Sequence, residues 1–151
     1  MTKLRVYMAA SRDVAGDADQ LAGRLAVRAG VEVVSRWHVN ETKLVDPTSP
    51  SVRSDILRAN LDDLKRADVV VALMDRGAPR ATYAEIGYAL ADGQWVIWLK
   101  PHTLQPGEYD PRACIFDAHS KVVCVSDEAG IASELEALSA AKVADVAWTA
   151  E

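Results

Sequence analysis

Nowhere in this 151-residue chain does an apolar run approach the roughly 20 residues that span a bilayer, and its basic start lacks the long apolar core of a signal peptide. A cytoplasmic location is therefore the default expectation. Basic residues are also in short supply, with 17 Lys and Arg against 22 Asp and Glu and a net charge of −5. That balance disfavours a nucleic-acid polymer as partner, although a single mononucleotide needs only a local cationic spot. Cys114 and Cys124 have neither metal-ligand nor redox spacing and read as reduced core residues. Glycine-rich dinucleotide fingerprints, Walker loops, internal repeats and low-complexity tracts are all missing, so no metal and no cofactor is expected.

What is present fits one compact domain. Half of the residues are hydrophobic and 26% are charged, enough for a single sizeable core. Strand and helix patterns alternate along the chain. Strands are expected at Leu4 to Met8, Val31 to Ser35, Val69 to Met74, Trp95 to Leu99 and Val122 to Val125. Helices are expected at Asp17 to Ala29, Ser51 to Arg66, near Ala84 to Ala91 and at Asp127 to Ala140, with Gly30 as a C-cap and a polar loop from Asn40 to Pro50. In the second helix Ile56, Leu57, Leu61 and Leu64 should face inward. Such alternation implies an α/β sandwich, flavodoxin-like or Rossmann-like, with about five parallel strands flanked by helices. The domain is placed at residues 1–140, leaving 141–151 as a weakly patterned tail that suits a short helix, a mobile end or an arm onto a neighbour.

The segment Ala67 to Lys100 carries the chemistry. Asp75 ends an apolar strand and Glu85 opens the next helix. Ligands of open α/β sheets bind beyond the carboxyl ends of the strands, so this pair of acids suggests acid, base or nucleophilic work at a glycosidic carbon. A helix N-terminus would favour the ionised form of Glu85. Each acid has a plainer explanation. Thr82 and Glu85 have the spacing of a capping box, and Asp75 suits a turn before Gly77 and Pro79. Against the capping box stands Gly87, whose place early in a helix suggests close backbone approach to a strand or a ligand.

Other polar residues fall near the same sheet edge. Ser11 and Arg12 follow the first strand, where backbone N–H groups, a hydroxyl and a guanidinium could hold a phosphate group; otherwise Ser11 caps a turn and Arg12 is solvated. Arg80 is a second candidate anion contact. Trp37 and His38, just past the second strand, could stack on or hydrogen-bond a nucleobase, or simply pack. Asp55 and Asp62 read as solvated helix residues.

The run Ala67 to Asp75, followed by Glu85-Ile86-Gly87-Tyr88-Ala89 and a strand, resembles the nucleoside 2-deoxyribosyltransferase family, which includes the 2'-deoxynucleoside 5'-monophosphate N-glycosidases. The opening Val6-Tyr7-Met8-Ala9-Ala10-Ser11 is similar to that family's first strand and its Tyr, and with Val31 to Trp37 and Pro111 to Ala118 the resemblance spans most of residues 4–126. It implies a transferase or hydrolase in which Glu85 is the nucleophile that forms a glycosyl-enzyme. Tyr7 would orient Glu85, and Asp75 would bind the sugar or handle the proton of the leaving base. The substrate would be a small nucleoside or nucleotide. It also implies a homodimer or higher homo-oligomer, with Cys114 to Ala118 at the interface and Asp117 lent to the neighbouring site. Two positions depart from the pattern: Pro79 stands where the family carries a polar residue, and Ala81 where it carries Gly. They leave room for a different ligand, or for a nucleotide-binding or sensing domain without catalysis. A plain interaction module, with Glu85 only a capping residue, is the third possibility.

Overall fold

The structure, a computed structural model, describes residues 3–40, 49–74, 80–100 and 115–148. Strand β1 (Arg5–Ala9) leads through a 3-10 turn (Arg12–Val14) into α1 (Ala15–Arg28) and the short β2 (Glu32–Val33). Next come α2 (Trp37–Asn40), α3 (Pro50–Arg66), β3 (Val69–Leu73), α4 (Arg80–Ala91) and β4 (Trp95–Leu99). A 3-10 turn (Ile115–Ala118), β5 (Val122–Val125) and α5 (Glu128–Trp148) complete the described chain. Gly30 takes a φ of 63° just after α1, as a left-handed C-terminal residue should.

All five strands are parallel, in the order β2-β1-β3-β4-β5. That is the flavodoxin-like order, whose switch point lies between β1 and β3. Strand β3 is buried throughout because both sheet faces are covered. Its pleat sends Val69, Val71 and Leu73 into one core layer with Val6, Met8, Leu25 and Ile131, while Val70 and Ala72 join Tyr7, Leu64, Ile86 and Trp98 in the other. The first layer lies under α1 and α5, the second under α3 and α4.

Several boundaries differ from the sequence expectation. Strand β2 is short because its ladder is continued by side chains. Beyond Val34, which bonds Val6, the Ser35 hydroxyl accepts from the Met8 N–H at 3.0 Å and the Trp37 indole donates to the Met8 carbonyl at 2.6 Å. Helix α5 runs past Ala140 to Trp148, and Lys142 reaches Asp68 at 2.7 Å, which ties the start of the tail to the sheet. Cys124 is exposed rather than part of the core, because it lies on the edge strand β5, while Cys114 and most of the Asn40 to Pro50 loop lie outside the described residues.

Helix α3 departs most from expectation. Of the four residues expected to face inward only Leu64 is buried; Ile56 and Leu61 are half-buried, and Leu57 is 58% exposed. Its apolar stripe is divided: Leu64 and Leu61 pack on the second core layer, and Ile56 and Leu57 face a cavity. No helix among the described residues is long and apolar enough to cross a membrane.

Candidate active site

Tyr7 lies in the middle of β1, fully buried, and its hydroxyl donates to Glu85 Oε1 at 2.7 Å. Seventy-eight residues of sequence separate the pair. The fold joins them because β1 and β3 are neighbours and α4 returns from the carboxyl end of β3 over the Tyr7 face. Glu85 and Tyr88, one turn apart on α4, line a cavity of about 480 Å³ together with Ala81 and Ala84. The facing wall is α3, which contributes Arg53, Ile56, Leu57, Asn60, Leu61 and Leu64, and Arg12 reaches in from the turn after β1. The volume falls within the roughly 300–1,000 Å³ typical of small-molecule sites.

The capping-box explanation of Glu85 does not hold. Thr82 lies inside α4 rather than before it, its buried hydroxyl has no hydrogen-bond partner among the described residues, and the Glu85 carboxylate is turned to Tyr7. Nor does the helix N-terminus govern the charge of Glu85, which sits beyond the first turn of α4. Burial dominates, and raises its pKa from 4.5 to about 7 against the opposing effect of the Tyr7 hydrogen bond. The Tyr7 hydroxyl is also pushed upward, chiefly by burial and then by the Glu85 charge, so it remains a donor. Near neutrality the pair therefore shares a carboxyl that exchanges its proton easily with a phenol that does not.

Asp75 and Pro79 lie outside the described residues. Arg12 shares the cavity with Glu85, while the Ser11 hydroxyl is bonded to Asp13 next to it. Arg80 is exposed at the start of α4 and does not line the cavity. At Gly87 an added Cβ would meet nothing within 4 Å, so no neighbouring strand requires glycine there. Asp55 pairs with Arg58 on the surface, as expected of a solvated residue. Asp117 binds Lys100 Nζ at 2.6 Å, and that ammonium lies 4.5 Å over the Trp98 ring.

Trp37 and His38 are engaged in structure. Besides Trp37's bond to Met8, His38 is buried with Nε2 3.0 Å from Ser35 Oγ and Nδ1 3.1 Å from Asp19 Oδ1. Ser35, His38 and Asp19 stand in the hydrogen-bond order of a hydrolase triad. Ser35 is only 4% exposed, however, and already accepts from Met8, so the chain fastens β1 to α1 rather than presenting a nucleophile.

Sequence reasoning missed Arg53, Asn60 and Tyr88. A signal was available in α3: Arg53, Ile56, Leu57, Asn60 and Leu64 recur at helical spacing, and a cation and an amide within an apolar stripe mark a face that meets a ligand or solvent, not core. Asp63, 1% exposed, was also missed. It holds Arg36 and Arg66, at 2.6 and 2.7 Å, and so fixes α3 against the sheet edge. Among the described residues no cluster of His, Cys, Asp or Glu could hold a metal ion.

Comparison with known proteins bears on this geometry. A family model described as nucleoside 2-deoxyribosyltransferase matches residues 6–138. The chain is similar to a 2-deoxyribosyltransferase from the psychrotolerant bacterium Bacillus psychrosaccharolyticus, at 19% identity and a TM-score of 0.60 over 85% of this chain and 90% of that one. It is similar to a conserved protein from Enterococcus faecalis V583, at 16% identity and a TM-score of 0.64 over 89% and 98%. A third similar structure is the CMP N-glycosidase of Clostridium botulinum, at 20% identity and a TM-score of 0.55 over 89% and 98%. No curated protein matches by sequence. At these identities the structural likenesses establish the fold.

Proposed function

The chain belongs to the nucleoside 2-deoxyribosyltransferase family, and from that premise we propose that it cleaves or transfers the N-glycosidic bond of a deoxynucleoside or its 5'-monophosphate, with Glu85 as nucleophile. The observation that carries this reading is the 2.7 Å hydrogen bond between Tyr7 and Glu85 in the wall of a ligand-sized cavity. A Glu85 oxygen bonds to C1' of the sugar as the C1'–N bond breaks, and the electron pair of that bond leaves with the base, which takes up a proton. Asp75 is our choice for binding the sugar or supplying that proton. Water, or the nitrogen of a second base, then attacks C1', loses its proton and frees the Glu85 carboxylate. Tyr7 orients the carboxylate throughout.

Arg12 lines the cavity with Glu85, and a guanidinium there supports a 5'-monophosphate as one substrate. We further propose a cytoplasmic homodimer in which the segment ending at Ala118 closes the neighbouring site and Asp117 contributes to it. The domain would comprise residues 1–140. One observation favours binding without turnover: Ala81 lines the cavity at the position where the family has Gly, and its methyl group would crowd a close backbone approach that Gly permits.

The deciding experiment is incubation with deoxynucleosides and their 5'-monophosphates, with and without a free acceptor base, followed by intact-mass measurement. Release of base together with a deoxyribosyl adduct on Glu85 is the expected result. Formation of a new nucleoside when acceptor base is present would identify a transferase, and free sugar alone a hydrolase. Nucleotide binding with neither base release nor adduct would favour the non-catalytic reading.

A further inference from the structure

Helix α3 supplies one wall of the cavity yet is tied down only at its last turns. Among the described residues, every hydrogen bond or ion pair it makes with the rest of the chain falls between residues 63 and 67. Asp63 holds Arg36, Arg66 reaches the Val34 carbonyl, and the Gln94 amide donates to the carbonyls of Leu64 and Ala67. Leu61 and Leu64, which pack on the core, belong to the same end. Residues 51–59 are exposed or half-buried, although Arg53, Ile56 and Leu57 line the cavity. The helix is thus a beam clamped at one end. Arg53 and Asp63 are ten residues apart. That is about 15 Å along the axis, so a tilt of roughly 10° at the clamp displaces Arg53 by about 2.5 Å.

Asp63 is the charged part of the clamp. Its side chain is 2% exposed; it accepts from the Arg36 backbone N–H at 3.1 Å and pairs with the Arg36 and Arg66 guanidinium groups at 2.6 and 2.7 Å. Arg36 lies within the run that grips β1 on both sides of Tyr7. The Val34 N–H donates to the Val6 carbonyl, the Ser35 hydroxyl accepts from the Met8 N–H, and the Trp37 indole donates to the Met8 carbonyl. The strand that carries Tyr7 and the helix that faces Glu85 are therefore registered to each other through the Arg36–Asp63–Arg66 cluster.

We propose that Asp63, which does not itself line the cavity, is a positioning residue: through Arg36 it holds the α3 wall at the distance from Tyr7 and Glu85 that the ligand needs. The proposal rests on the reading of this cavity as the nucleoside site. Tyr7 and Glu85 sit on β1 and α4 and keep their 2.7 Å hydrogen bond without help from α3. Loosening the clamp therefore weakens the hold on the ligand and leaves the chemistry of the pair in place. A wall that occupies its working position about a tenth of the time lowers apparent affinity about tenfold. The effect belongs in KM and not in kcat.

Two variants cut the same link from opposite sides. Asp63→Asn removes the charge at nearly constant volume, and Arg36→Met acts on a side chain that is 59% exposed, so it decides the matter if Asp63→Asn fails to fold. Hydrogen exchange and base release from the four common deoxynucleoside 5'-monophosphates are compared with wild type. Amides of residues 51–62 should exchange at least tenfold faster in the variants while β1 and α4 keep their protection. KM should rise about tenfold with kcat within twofold, and the double variant should be no worse than the more affected single one. Unchanged exchange in α3, faster exchange spread over the whole protein in both variants, or a freed α3 with unchanged KM would overturn the proposal. If wild type releases no base, the dissociation constants of the same monophosphates replace KM. A freed α3 with tenfold weaker binding would then sustain the proposal while overturning the catalytic reading, and no binding by wild type would overturn both.

Discussion

Two partly buried carboxylates meet the first strand at different points, and the protein treats them in opposite ways. Asp68, just before β3, accepts the Arg5 backbone N–H at 2.8 Å, the Arg5 guanidinium at 2.9 and 3.2 Å, and Lys142 at 2.7 Å. Burial alone would raise its pKa, but these donors outweigh it and hold the group at about 2. Glu85 is bonded instead by an uncharged phenol, and burial carries it up to about 7. Burial acts on both acids; what differs is whether cations accompany it. The amino ends of the strands are thereby locked ionised, whereas the carboxyl-end cavity keeps an acid whose charge is costly and therefore reactive.

Replacing Glu85 by Gln would test the contrast most severely. Base release should fall on the order of a thousandfold or more, about 4 kcal/mol in the barrier, because the covalent nucleophile is gone. Stability should change the other way. Between pH 4.5 and about 7 the folded wild type keeps a proton that the unfolded chain has released, so its stability falls as pH rises through that window. The neutral amide of the variant carries no such penalty, and at pH 8 the variant should be more stable than wild type by on the order of 3 kcal/mol, a gain that vanishes below about pH 4. Thermal melts across pH check this. A Glu85→Gln protein that is less stable than wild type at pH 8, and fully active, would leave Glu85 as an ordinary structural acid.

Tyr7→Phe sharpens the same end of the comparison. The Tyr7 hydrogen bond lowers the Glu85 pKa against the effect of burial, so removing it should move the acid limb of kcat/KM from about 7 to higher pH. A lost hydrogen bond to a charged group costs about 1.5–3 kcal/mol, or roughly tenfold to a hundredfold in rate. A uniform loss of rate with no shift of the pH profile would mean that Tyr7 acts only through packing.

The legible and illegible parts of this molecule divide along physical lines. The strands Trp95–Leu99 and Val122–Val125 are readable to the residue, because short apolar runs between turns have few alternatives. Glu85 stands out in sequence as an acid near a helix start beyond a strand, whereas Tyr7 is identifiable only through resemblance; nothing local to either residue tells that a crossover brings them to 2.7 Å. Ile56 and Leu57 read as core in sequence because amphipathic periodicity identifies an apolar face without telling whether core or cavity lies beyond it. Trp37 and His38 read as ligand contacts because a two-residue strand gives no sign that side chains continue its ladder. The sign of the Glu85 shift also depends on a boundary. A few residues of α4 before it move the carboxylate out of the reach of the helix N-terminus and leave burial in control.

Asp68→Asn probes the other end, where a smaller effect of opposite pattern is expected. The folded-state pKa of Asp68 lies below its ordinary 3.8, so its ion pairs stabilise the fold at neutral pH, and that contribution is lost as pH falls from about 4 toward 2. Solvent reaches the group, and its partners Arg5 and Lys142 are themselves partly exposed, with side chains 43% and 28% accessible. Screening should accordingly reduce the loss to about 1 kcal/mol. Stability of the variant and the wild type should converge near pH 2, and added salt should narrow the gap at pH 7. Base release should be unaffected, because Asp68 lies at the amino end of β3 and does not line the cavity. A large loss of activity in Asp68→Asn would show that the two ends of the sheet are coupled; a gap unchanged between pH 7 and pH 2 would show that its carboxylate charge contributes nothing to the fold.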